Sequence, residues 1–131
     1  MFTLHEIKEA HMKVASGADF PRYVQDLRDL GVAAYSTFVS DGHTGYSGKD
    51  GFHLQSEARY APQEIGEQSD VEGFAQKLKL HQQGESNYPT FCRQCAESGV
   101  EKWTVDLAGM TCTYYDRAGN TMLTEKIPQP A

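Results

Sequence analysis

Apolar side chains in the first third of the chain recur at helical spacing. Leu4, Ile7, His11 and Val14 share one face of a helix that starts at Thr3, where Glu6 completes a capping box. Phe20, Tyr23, Val24, Leu27 and Leu30 define a second helix, opened by Pro21 in its first turn and closed at Gly31. The period then changes. Residues 32–39 are rich in Val, Tyr, Thr and Phe and predict a strand. The segment from Asp41 to Gly51, with Gly42, Gly45, Gly48 and Gly51, predicts hairpin turns, and a short strand follows near residues 52–57.

The second half repeats this order. Asp70 caps a helix carrying Val71, Phe74 and Leu78, and Pro89 opens another that ends at Gly99. Trp103, Val105 and Leu107 alternate as a strand should. Thr111–Tyr115, the turn Asp116–Asn120 and Thr121–Ile127 then read as a hairpin. Residues 55–69 are left as a linker and Pro128–Ala131 as a tail.

The likeness extends to individual residues. Moving residue 19 onto 87 and 62 onto 130, a shift of 68, superposes the two segments without a gap. Identical pairs include Pro21/Pro89, Gly31/Gly99, Val32/Val100, Tyr46/Tyr114, Gly51/Gly119 and Pro62/Pro130; similar ones include Phe20/Tyr88, Tyr23/Phe91 and Tyr35/Trp103. With a shift of 67 the match reaches Ile7/Phe74 and Gly17/Gly84, and the extra residue falls in a loop, where insertions cost little. The expectation is one α+β domain over residues 1–131. It comprises two tandem αα-βββ repeats, about 1–62 and 69–130, whose strands form a mostly antiparallel sheet covered by helices.

Composition narrows the function. A chain of 131 residues with 39% hydrophobic content builds a core without metal or disulfides. A net charge of −6 and the absence of any long basic run argue against nucleic acid. No apolar run has the length of a signal peptide or a membrane span, so no membrane role is expected. Three cysteines, two of them spaced as Cys92-x-x-Cys95, do not make a secreted disulfide framework and predict a reduced, cytoplasmic protein.

Five sets of residues carry candidate chemistry. Cys92 and Cys95 near a helix start suit thiol–disulfide exchange, with Cys112 a possible third thiolate for metal. Under the shift of 68, however, they fall on Val24 and Leu27, which predicts core positions instead. Gly48-Lys49 invites comparison with a phosphate loop, but the glycine spacing and Asp50 after the lysine do not fit one. Asp41, His43 and His53 have no polar counterparts of the same kind in the second unit, and a carboxylate with imidazoles suits a general base or a weak metal site. The aromatics Tyr35/Trp103 and Tyr46/Tyr114, in pairs on equivalent strand positions, pack a core or sheet face, or line a cleft between the repeats that takes an apolar ligand. His11 and His81 sit on apolar helix faces, either as satisfied histidines at a core edge or as a buried pH-sensitive pair.

The stretches Ser40-Asp41-Gly42-His43-Thr44, Tyr88-Pro89-Thr90-Phe91-Cys92 and Met110-Thr111-Cys112-Thr113-Tyr114-Tyr115-Asp116 resemble the YbcV-like family of small bacterial proteins, and the resemblance covers the whole chain. It implies a bacterial or prophage origin and an α+β fold. It brings no established activity, so no catalytic residue carries over.

The reading favoured by these residues is a non-enzymatic binding or interaction module, working through a cleft or sheet edge between the repeats. Its candidate ligand-binding residues are Asp41, His43, Tyr46, His53, Trp103 and Tyr114, its partner a protein or small molecule, its state monomer or homodimer. No motif calls for a cofactor or a resident metal. The alternatives are an enzyme or metal-dependent protein using Asp41, His43 and His53, and a thiol protein using Cys92 and Cys95.

Overall fold

The computed structural model describes residues 2–14 and 19–127. Helix α1 (Leu4–Met12) begins with the expected box: Thr3 Oγ1 accepts from Glu6 N at 3.2 Å and Glu6 Oε1 accepts from Thr3 N at 3.0 Å. Its buried residues are Ile7 and Ala10, whereas Leu4 is 40% exposed and the helix ends before Val14. Phe2 is buried edge-on against Phe52, at 4.9 Å between ring centres, so the apolar anchor at this end of the helix precedes the cap.

Helix α2 (Phe20–Leu30) buries Tyr23, Val24 and Leu27, and Gly31 closes it with a φ of 101° that a side chain would resist. Helix α3 (Val71–Gln82) is capped by Asp70, which accepts from Gly73 N, and buries Phe74 and Leu78. Val71 stays largely exposed in its first turn. Helix α4 (Tyr88–Glu97) is capped by Asn87 and buries Phe91, Cys92, Cys95 and Ala96.

Among the described residues six strands form one antiparallel sheet: β1 (Ala34–Phe38), β2 (Thr44–Ser47), β3 (His53–Gln55), β4 (Val100–Asp106), β5 (Thr111–Asp116) and β6 (Thr121–Lys126). Their order is β3-β2-β1-β4-β5-β6, so two three-stranded meanders meet where β1 pairs with β4. At the centre of that pairing Ser36 faces Thr104, with their hydroxyls 2.8 Å apart and 68 residues between them in sequence. Along the described residues the order helix, helix, three strands occurs twice.

Strand β2 lies inside the segment expected to be turns. Gly45 weakens its strand propensity, yet β2 is hydrogen-bonded on both sides, by β1 and β3, and that pairing outweighs the local preference. The run from 55 to 69 is likewise more than a connector. Tyr60 Oη and Gln63 Nε2 both donate to the Val39 carbonyl, Gln63 N donates to Ser40, and Gly66 N donates to Ala96.

The four helices and the inward side chains of the sheet share a single core, in which Val24, Leu27, Val39, Phe74, Val100 and Val105 are sealed from solvent. The outer face carries Ser36, Thr104, Thr113 and Thr124 in one cross-strand row, polar enough for an antiparallel sheet to leave that side to water. Among the described residues no helix is long and apolar enough to cross a membrane. Gly17, Pro130 and the expected tail Pro128–Ala131 lie outside the described residues.

Candidate functional site

Strand alternation divides the candidate residues between the two faces of the sheet. Tyr46, Trp103 and Tyr114 point inward with Tyr35; Tyr35 pairs with Tyr46, and Trp103 with Tyr114. His43 lies on the outer face, where its ring stacks on Phe38 at 4.5 Å and a 6° interplanar angle. Sequence alone placed these residues in one list, but they do not make one site.

Asp41 and His43 are brought together. Asp41 Oδ1 accepts from His43 N at 3.0 Å and lies 2.5 Å from His43 Nδ1. The two bonds, backbone first, hold the Asp41 carboxyl below the usual carboxylate range. The carboxylate is therefore an acceptor, and Nδ1 carries the proton. The same contacts fasten the turn after β1, as Asp side chains commonly do.

His53 is not brought together with them. It is exposed on β3 opposite Ser47, four residues along β2 from His43, which puts it roughly 13 Å away at strand rise. No group of three or more His, Cys, Asp or Glu side chains able to hold a metal occurs among the described residues.

The cysteines lie in the core. Cys92 and Cys95 are 1% and 0% exposed, and all three thiols are free. Burial pushes the Cys92 and Cys95 thiols up, and that of Cys112 up to about 12, opposite to the depressed value that a reactive thiol needs.

The aromatic residues border a cavity of about 200 Å³ between the inner face of the sheet and all four helices. The floor carries two cross-strand ring pairs, Tyr46–Tyr35 with centroids 5.6 Å apart and Trp103–Tyr114 with centroids 6.1 Å apart. Tyr23 from α2 stands 6.4 Å from Tyr35, and Phe91 from α4 stands 5.9 Å from Trp103. Thr37 and Thr44 bring hydroxyls to the same floor, bonded to each other at 2.9 Å and almost fully buried.

His11 from α1 and His81 from α3 both line the cavity. Burial lowers the pKa of both, and for His11 the nearby Arg59 charge lowers it further. His81 is stacked on Phe91 at 4.2 Å, with Nδ1 3.2 Å from the Ser86 carbonyl, while His11 stands edge-on to Tyr23 at 5.4 Å.

Arg59 had no signal in the sequence. It belongs to the presumed linker, and fold geometry alone carries it to the cavity. Arg59 N and Tyr60 N both donate to the Asp41 carbonyl, at 2.8 and 3.3 Å. Gly42, at φ 77°, leaves room for that approach; a Cβ there would lie 2.7 Å from the Tyr60 ring and 3.2 Å from Arg59 Cβ. The Asp41–His43 turn thus helps to seat the chain bearing Arg59.

A family model described as a protein of unknown function (DUF1398) matches residues 8–126, and the chain belongs to that family. No curated protein matches it.

Proposed function

We propose that this member of a family without an assigned activity is a non-enzymatic binding module for a small aromatic molecule, held in the cavity between the sheet and the helices. The observation that carries the reading is the aromatic floor, built from both three-stranded units. A cavity of about 150 Å³ lined by apolar side chains is large enough for benzene. The 200 Å³ present here suits one ring with a short substituent, below the size of most cofactor pockets. Rings meeting at 4.5–7 Å offer edge and face contacts to another ring. The Thr and His side chains supply the few polar groups that fix orientation.

The Asp41–His43 pair supports an enzymatic reading less well. It faces away from this cavity, His53 is remote from it, and its hydrogen bonds are engaged in a turn.

We also propose that the two units arose by duplication, giving a cavity astride their pseudo-twofold. In support, residues related by the shift of 68 occupy matching places in its walls, as with Tyr23/Phe91, Tyr35/Trp103 and Tyr46/Tyr114. The closer likeness to YbcV-like proteins, with its bacterial or prophage origin, and a cytoplasmic location in keeping with three free thiols, belong to the same proposal.

Trp103 is the sole tryptophan and lines the cavity, so its emission is a direct probe. Titration with the neutral ligand phenylacetamide is expected to change Trp103 fluorescence saturably. A purely linear response, as collisional quenching gives, would contradict binding in the cavity.

A further inference from the structure

The cavity has a charge asymmetry that an apolar ligand alone does not explain. The protein carries six more negative than positive charges, yet among the described residues no Asp or Glu lines this cavity, and the only fully charged side chain that does is Arg59. Arg59 is exposed at its mouth and makes no side-chain ion pair or hydrogen bond among the described residues. Its two neighbours in the acid–base inventory of the walls, His11 and His81, are held toward the neutral form by burial. They add rings and hydrogen-bonding nitrogens without adding charge.

We infer that the ligand is a small aromatic monocarboxylate, with its ring on the floor of Tyr46, Tyr35, Trp103 and Tyr114 and its carboxylate on the Arg59 guanidinium. This rests on the binding reading above and names the ligand class for it. A guanidinium matches a carboxylate with two parallel hydrogen bonds, a geometry no other side chain offers as well. One cation balances one negative charge. A nucleotide or other polyanion would leave charge uncompensated and exceed the volume.

The charge of the rest of the protein does not reverse this preference. At physiological ionic strength the screening length is about 8 Å, so surface carboxylates farther away than that contribute little beside a contacting guanidinium. The Arg59 charge is also felt inside the cavity: it acts on His11, and on the hydroxyls of Tyr23 and Tyr88 in the walls.

The test compares two ligands of nearly identical shape, phenylacetate and its neutral amide, by calorimetry on the wild-type protein and on Arg59→Gln. Wild type is expected to bind phenylacetate about tenfold more tightly than the amide, the scale of one charge-assisted contact at a partly exposed site. In Arg59→Gln that ratio is expected to fall to about one. Arg59→Lys, which keeps the charge without the planar fork, should keep part of the preference.

Equal binding of both ligands by wild type would overturn the monocarboxylate inference and leave the aromatic-binding reading in place. A preference that survives in Arg59→Gln would overturn the assignment to Arg59. Binding of neither ligand would overturn both readings.

Discussion

Thr37 and Thr44 face one another across β1 and β2, each buried to within a few per cent of full coverage, with Oγ1 atoms 2.9 Å apart. Replacing Thr37 with Val keeps the branched shape and removes one hydroxyl, so Thr44 Oγ1 is left without its partner. An orphaned buried hydroxyl costs about 1–3 kcal/mol, and Thr44→Val should cost the same amount for the mirror-image reason. Replacing both removes the bond together with both polar groups, which is nearly neutral. The double variant should therefore be more stable than either single one, with a coupling energy of about 2–6 kcal/mol, the sum of the two single losses. With a urea dependence of about 1–3 kcal/mol per molar, each single variant should unfold at a clearly lower urea concentration, and the double variant near the wild-type midpoint. Single-variant losses that simply add, within about 0.3–0.5 kcal/mol, would refute the reasoning. They would mean that water in the cavity satisfies the remaining hydroxyl and that the floor is wet.

Stability should fall on acidification in two windows. His11 and His81 have folded pKa values below the 6.5 of the unfolded chain, so the unfolded state takes up protons first as pH drops through 6.5, and stability declines until the folded values are passed. Asp41 and Asp116, depressed by their hydrogen bonds, add a further loss as pH falls below 3.8; urea midpoints at stepped pH read both, and a midpoint flat between pH 7 and 5 would contradict the histidine part. Gly42→Ala combines a strained positive φ with a clash against Tyr60, so it should destabilise by more than about 1 kcal/mol and weaken the preference for phenylacetate over its amide; an unchanged preference would show that this turn does not seat Arg59. Iodoacetamide should leave Cys92, Cys95 and Cys112 unmodified in the native protein and label all three after unfolding; fast native labelling of Cys92 would revive thiol chemistry.

Much of the fold was legible because its signals are local. The Thr3–Glu6 box, the Asp70 cap, the first-turn prolines and the alternation at Trp103 and Val105 each act within a few residues, and each stands where the pattern put it. Strand β2 was hidden because its glycines report turn propensity while its formation depends on partners on both sides. Leu4 was placed on the buried face by its spacing, yet it is 40% exposed, while Phe2, outside the helical period, is buried.

The site was legible in part. Comparison of the halves singled out Tyr46, Trp103 and Tyr114, all of which are buried, and put Cys92 and Cys95 in the core. Asp41, His43 and His53 looked like a constellation because they are polar and close in sequence, but strand rise separates His53 from the others. Arg59 left no trace, since an exposed arginine in a connector acquires its meaning from the backbone contacts that seat the loop on Asp41.

The central claim is that one cavity, walled by both units, is the binding site. The most direct measurement is of nuclear Overhauser effects between bound phenylacetate and the aromatic rings of the protein. Contacts from the ligand ring to Tyr35 and Tyr46 in one unit and to Trp103 and Tyr114 in the other are expected together. Contacts to residues outside the cavity instead, such as Phe38 and His43 on the outer face, would contradict the account.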